Sequence, residues 1–410
     1  MKLDLIQTVA FAGIALFLGY GLRRLFPLLA RLNMPAPVLG GLIVSVAILI
    51  VRWQGLPAPE FDATLQRPLM VAFFTSIGFA ASLKLLRIGG PQVAIFLAIG
   101  TVFAVLQNLV GAGVAVLFDR PPLFGVLAGS VTLTGGPATG LAFAPLFEQA
   151  GIEGAAAIAI AVAMAGIVLG GLVGGPIATH LIERYRVPGP RQRAAQAGVA
   201  AHAEAVQAEE AAVAPAPDDL DDESVEAYTA LKTVVIVLVA MWIGEWISAL
   251  IGATGLTLPS YIGAMVAAAA IRGIDDYTAL FGLSHRTIDT LGAITLSLFL
   301  VMALMTLDLT QLAGLALPLL TILAAQIVLV ALACLPVFWL MGRDYDAAVM
   351  GGGFVGFMLG TTANAMAVMR TLVERFGPAP RAFLVAPLVG TFFIDFTNAL
   401  IITVFLNLFA

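Results

Sequence analysis

The chain has 410 residues, 60% of them hydrophobic and only 11% charged, and its mean hydropathy is +1.02. That composition excludes a soluble globular domain and indicates a polytopic helical membrane protein. Apolar runs of about 20 residues, in place of short alternating segments, exclude a transmembrane barrel. The formal net charge of -5 says little, because six of the 25 acids cluster in one central segment, PAPDDLDDESVEAY. Cys334, the single cysteine, lies in an apolar run and reads as a small core residue.

In chain order, spans are predicted near 5–22, 36–51, 68–86, 92–118 and 152–182, then near 229–252, 258–272, 288–308, 314–341 and 380–408. The first run follows a single Lys2 and lacks a convincing cleavage site, so it reads as a retained span rather than a signal peptide. Two stretches, about 121–148 and 347–375, are apolar but broken. The first contains GSVTLTGGPATGLAFAPLFE (129–148), where Gly135, Gly136, Pro137, Gly140 and Pro145 interrupt any regular helix. The second contains GGGFVGFMLGTTANA (351–365). Irregular backbone at membrane depth is tolerated only where protein buries it or where it lines a wet cavity, so both stretches read as re-entrant hairpins.

The basic residues set the orientation. With the N-terminus outside, all Lys and Arg fall on the inner side except Lys2, Arg52, Arg67 and Arg120. Both termini are then extracytoplasmic. Residues 186–228, with RVPGPRQR, an Ala/Glu tract and the acidic close, read as a cytoplasmic, partly disordered linker, with a regulatory or partner-binding tail as the rival. The flanking segments, 1–185 and 229–410, echo one another. Pro37-Val38-Leu39-Gly40-Gly41 and Pro259-Ser260-Tyr261-Ile262-Gly263 lie 222 residues apart, and Gly136-xxx-Gly140 and Gly356-xxx-Gly360 lie 220 apart. Five spans per half turn the second copy upside down. The expected architecture is therefore all-α, with two inverted repeats of five transmembrane helices, each carrying a glycine-rich re-entrant hairpin.

Over nearly its whole length the chain resembles the bacterial sodium/glutamate symporter family. The likeness is carried by PAPVLGGL (35–42), PLMVAFFTSIGF (68–79), QNLVG (107–111), LAGSVTLTGG (127–136), GLVGGP (171–176), LSLFLVMALM (296–305), YDAAVM (345–350) and the tail ERFGP…AFLVAPLVGTFFIDFTNALI. It implies ten spans, a homodimer in the bacterial inner membrane, uptake of L-glutamate driven by Na+, and an elevator-like transport domain. The likeness departs at the first loop, where Pro137 and Ala138 stand for a polar residue and a glycine, and at Phe354 and Met358 in the second. Alternatives are a sodium- or proton-coupled carrier of another acidic amino acid or organic dicarboxylate, and a channel.

The residues themselves fit such a site. Half-helix N-termini offer N–H groups and partial positive charge to an anion. Thr134, Gly135, Gly136, Thr139, Gly140, Gly360, Thr361, Thr362, Asn364 and Asp395 are the expected substrate-binding residues. Sodium prefers hard oxygen ligands, for which Ser130, Thr132, Asn108, Asp395 and Asn398 are the candidates. Each has a blander reading. The paired glycines match a small-xxx-small packing face, and Asn108 matches interhelical glue. Glu245 lies near an outer span end, where it reaches water. Asp395 is the sharpest signal, since an acid inside a span is costly and functional by default.

An enzyme fits poorly. Lys2, Lys84 and Lys232 lack the glycine of a phosphate loop, no HExxH or paired CxxC occurs, and His180, His202 and His285 lie at or beyond span ends. The formal GxGxxG at Gly351–Gly356 has no strand before it. No cofactor other than Na+, no transition metal and no nucleic-acid partner is expected.

Overall fold

The computed structural model describes residues 2–81, 83–196, 223–253, 259–278, 280–312 and 314–409, which form helices joined by short turns. Helix α1 (Leu5–Leu25) opens on a capping box. The Asp4 carboxylate accepts the Gln7 N–H at 2.8 Å, and the Gln7 side chain accepts the Asp4 N–H at 3.1 Å. It stops at Phe26, because Pro27 disfavours a helical residue before it. Short α2 (Pro27–Arg31) leads to α3 (Ala36–Trp53) and α4 (Gln66–Phe79). In α5 (Leu83–Leu117), Gly90 takes φ 59° ahead of Pro91 and kinks the helix.

The first glycine-rich stretch is a broken helix. Helix α6 (Pro122–Val126) widens into a π-type turn at Leu127–Val131, bends through Thr132–Gly135, and resumes as α7 (Gly136–Gln149). After it come α8 (Ala155–Arg184) and α9 (Pro190–Gln196). The second half contains α10 (Glu223–Gly252), α11 (Ser260–Thr278), α12 (His285–Met305) and α13 (Ala316–Leu340). Its broken helix is α14 (Tyr345–Met358) and α15 (Thr362–Phe376). The chain closes with α16 (Pro380–Leu388), a second π-type turn at Val389–Phe393, and α17 (Ile394–Phe409).

Among the described residues seven helices are long and apolar enough to cross a membrane, namely α1, α3, α5 from Gly90, α8, α10 from Tyr228, α12 and α13. Of the other predicted spans, 68–86 is cut short, since α4 ends at Phe79 and the chain re-enters helix as α5 at Leu83, and the remaining two fall on α11 and on the interrupted α16–α17 pair. The predicted linker narrows, since α9 enters it from one side and α10 begins at Glu223 on the other. Residues 197–222 of that linker lie outside the described residues.

The helices sort into two bundles. Helices α1, α3, α4, α10, α11 and α12 pack on one another around Ala12, Ala15, Val44 and Met302 in one cluster and Phe79, Val237, Ala268 and Ile288 in another. Helices α5–α8 and α13–α17 form the second bundle around the largest core, where Phe96 and Phe103 meet Phe354 edge-on. The seam between them is apolar. Val38, Phe299 and Leu300 lie on Leu141, Ile160 and Met164, and Tyr261, stacked on Phe74 at 3.9 Å, turns its edge to Phe143. Among the described residues one polar link crosses the seam, from Asn33 Nδ2 to Asn364 Oδ1 at 3.1 Å. Outer faces carry exposed Phe17, Leu238, Trp242, Trp246 and Leu250, surface that lipid solvates and water does not.

Candidate functional site

The two broken helices meet tip to tip. Gly136 opens α7 at φ +68°, and a Cβ there would stand 3.1 Å from Thr361 Cγ2. The left-handed angle favours glycine, and the close approach leaves a side chain there little room. Thr361 caps α15, its Oγ1 accepting the Asn364 N–H at 3.4 Å. Behind the first tip, α6 is pressed on α5, since a Cβ on Gly125 would lie 1.9 Å from the Gly111 carbonyl oxygen and one on Gly111 would lie 2.1 Å from that of Gly125. That contact seats the first break beside Gln107 and Asn108.

In front of the tips lies a cavity of about 410 Å³. The second bundle lines it with Thr134, Gly135, Pro137, Ala138, Thr139, Phe357, Thr361, Thr362, Ala363 and Asp395. The first bundle closes the opposite side with Tyr20, Arg23, Pro35, Pro37, Phe73, Phe74, Leu296 and Ser297, among others. The first N–H groups of α7 and α15 have no intrahelical partner, and Ala138 and Ala363, in those first turns, line the same space. The cavity thus offers an anion two helix N-termini and the Thr139 and Thr361 hydroxyls, and offers a cation one carboxylate.

Of the predicted substrate residues, Thr134, Gly135, Thr139, Thr361, Thr362 and Asp395 line this cavity. Gly136, Gly140, Gly360 and Asn364 stand behind it. Gly140 packs on Ala159 of α8, and Gly360 on the Asn364 amide. The Asn364 Nδ2 donates to the Ile167 carbonyl at 3.1 Å and to the Gly356 carbonyl at 3.2 Å, tying the second break to α8.

A buried polar layer lies one step deeper. Asn108 Oδ1 accepts the Ser130 N–H at 2.9 Å, and Asn398 Nδ2 donates to the Ser130 carbonyl at 3.0 Å. Those two bonds fix which way each amide points. They leave Ser130 Oγ, Asn398 Oδ1 and Asn108 Nδ2 buried without partners. An unpartnered buried polar group costs about 1–3 kcal/mol, so two such oxygens beside one backbone unit are a place a hard cation suits. Thr132 Oγ1 bonds back to the Leu127 carbonyl at 2.9 Å. Asp395 lines the open cavity, one turn of α17 before Asn398.

Two glutamines join the layers and escaped the sequence reading. Gln107 Oε1 accepts from Thr134 Oγ1 at 2.5 Å while its Nε2 donates to the Met358 carbonyl at 2.8 Å, so one side chain holds both breaks. Gln326 Nε2 donates to the Gln107 carbonyl at 2.7 Å, and its Oε1 has no partner. The signal was present: Gln107 adjoins Asn108, and Gln326 follows it by 219 residues, within a few of the offset between the halves. Glu245 is exposed and paired with Arg67 at 3.8 Å. The Gly351–Gly356 run lies inside buried α14, packed on α8 and α15, and forms no phosphate loop.

A family model described as sodium/glutamate symporter matches residues 1–378. A sodium/glutamate symporter of Escherichia coli K12 is 38% identical over 408 residues, covering 99% of this chain and 98% of that one, and one from Shigella flexneri matches equally. A sodium/glutamate symporter of Haemophilus influenzae is 37% identical over 413 residues, covering 97% and 96%. With a family model over most of its length and full-length relatives at this identity, the chain belongs to the sodium/glutamate symporter family.

Proposed function

We propose that this chain carries L-glutamate into the cell together with Na+, as its relatives' names describe for them. The observation that carries the reading is the cavity itself: two helix tips, one from each half, face an anion-sized space, and a layer of unpartnered oxygens stands directly behind. Glutamate brings two carboxylates and one ammonium. The N-termini of α7 and α15, with the Thr139 and Thr361 hydroxyls, receive carboxylate oxygens, while Thr134 and Thr362, whose hydroxyls donate to Gln107 and to the Gly390 carbonyl, shape the wall, and Asp395 receives the ammonium. Na+ sits at Ser130 Oγ and Asn398 Oδ1, with Asn108 holding the Ser130 backbone beside it through its Oδ1, so the charge and the backbone of the first break are in contact. Na+ there orders the tip that binds glutamate, which is how each ligand raises the other's affinity.

In this reading the broken helices are re-entrant hairpins of two inverted repeats, entering a bacterial cytoplasmic membrane from opposite faces, with both termini outside. The α5–α8 and α13–α17 bundle is the moving part, sliding along the apolar seam against the other bundle, and two copies form a homodimer. The Asp395 carboxylate favours an amine-bearing substrate over a plain dicarboxylate, so aspartate is the second reading and citrate a poor one. Uptake of labelled glutamate by proteoliposomes under an inward Na+ gradient tests the proposal, with aspartate and citrate as competitors. Equal uptake when choline replaces Na+ at constant pH contradicts it.

A further inference from the structure

The first bundle puts one cation into the cavity, and we propose that Arg23 is a substrate-binding residue of the stationary wall: its guanidinium receives a carboxylate of the acidic amino acid on one face of the membrane only. Arg23 lies near the end of α1, half-buried, and lines the same cavity as the two helix tips and Asp395. Tyr20, three residues earlier and so on the same helix face, lines it too. The neighbouring Arg24 and Arg31 are exposed, as basic residues at span ends ordinarily are. Arg23 also differs from the paired arginines. Arg272 holds Asp276 at 2.7 Å, Arg52 holds Asp308 at 3.4 Å, and Arg381 holds Asp344 at 2.5 Å. Arg23 has no hydrogen-bond or ion-pair partner among the described residues. A half-buried, unpartnered guanidinium on the wall of a cavity is a fork of donors matched to a carboxylate.

The position supplies the charge balance that a substrate of net charge -1 needs. One carboxylate meets the helix tips, the ammonium meets Asp395, and the second carboxylate meets Arg23. Because Arg23 belongs to the other bundle, this contact exists only while the tips stand opposite the end of α1. When the second bundle slides away, the substrate leaves Arg23 behind and travels with the tips alone. Arg23 therefore sets affinity and acidic-over-neutral selectivity at its own face and leaves the other face unaffected. This inference rests on the reading of the cavity as the glutamate site.

The test is glutamate transport by protein reconstituted with known sidedness, with KM measured from each face for the wild type, Arg23→Gln and Arg23→Lys. Loss of one charge-assisted contact predicts a KM about ten- to a hundredfold higher for Arg23→Gln at the face bearing the end of α1, with discrimination against glutamine reduced there. The KM at the opposite face and the Na+ dependence stay as in the wild type. Arg23→Lys, keeping the charge but not the fork, recovers part of the loss. A KM changed at neither face, or changed equally at both, overturns the assignment, and so does a lysine variant no better than glutamine. Failure of the wild type to show Na+-driven glutamate uptake overturns the functional reading instead, which separates the two.

Discussion

At the scale of single residues, the proposed site divides labour between a charge placed in the cavity and amides that hold backbone. Asp395 is the first kind. Asp395→Asn keeps the shape and removes the charge, so glutamate affinity is expected to fall about ten- to a hundredfold while the protein still folds and inserts. Equilibrium binding on purified, monodisperse variant checks this, and an unchanged affinity would make Asp395 structural. Gln107 is the second kind. Gln107→Ala removes its bonds to Thr134 and to the Met358 carbonyl. Leaving buried groups unpartnered costs about 1–3 kcal/mol each, so a lower melting temperature is expected together with loss of transport. Asp395, Asn108 and Asn398 were legible in the sequence, because polar side chains inside apolar spans announce themselves. Gln107 and Gln326 also stand inside apolar spans, 219 residues apart, but what they do was not legible, because it comes from bonds to backbone carbonyls of distant segments.

At the scale of elements, glycine and proline punctuation located both broken helices, and the described breaks fall within the predicted stretches. The π-type turns were illegible, since nothing in LAGSV or VGTFF distinguishes a widened turn from a regular one. The tip geometry is testable at Gly136. Gly136→Ala imposes a side chain at φ +68° and 3.1 Å from Thr361 Cγ2. Glutamate affinity is expected to fall by more than for alanine at Gly13, which has open space around it. The turn joining α11 to α12 gives a pH dependence. Burial alone would raise the Asp275 carboxyl, but the N–H groups of Phe281, Gly282 and Leu283, at 2.7, 3.0 and 3.1 Å, and the Arg272 charge hold it below its ordinary 3.8. The unfolded chain therefore binds this proton more readily than the folded one. Stability from Asp275 is complete above 3.8 and is lost as the pH falls through the lower folded value. Melting curves between about pH 6 and pH 3 should lose a component in Asp275→Asn that the wild type retains.

At the scale of the whole molecule, composition and hydropathy made the membrane class legible. The division into two bundles was not legible, because each bundle takes helices from both halves and is defined by long-range packing. An apolar seam crossed by few polar links is suited to sliding, since apolar side chains exchange neighbours without leaving hydrogen bonds unmade. The Asn33–Asn364 bond is one such link. Asn33 sits at φ 55°, so Asn33→Gly removes the bond and keeps the backbone relaxed. Loss of one neutral hydrogen bond should shift the balance between the two bundle positions about two- to tenfold. Labelling from each face of a cysteine substituted for Ala363, with Cys334 replaced by serine, reads that balance.

The central claim is that Na+ held behind the first break prepares the tip that binds glutamate. Glutamate affinity of the purified protein, measured across a range of Na+ concentrations for the wild type and Ser130→Ala, tests it most directly. The wild type should bind glutamate more tightly as Na+ rises, and Ser130→Ala should need markedly more Na+ to reach the same final affinity. Glutamate binding indifferent to Na+ in the wild type, or a Na+ dependence unmoved by Ser130→Ala, would contradict the account.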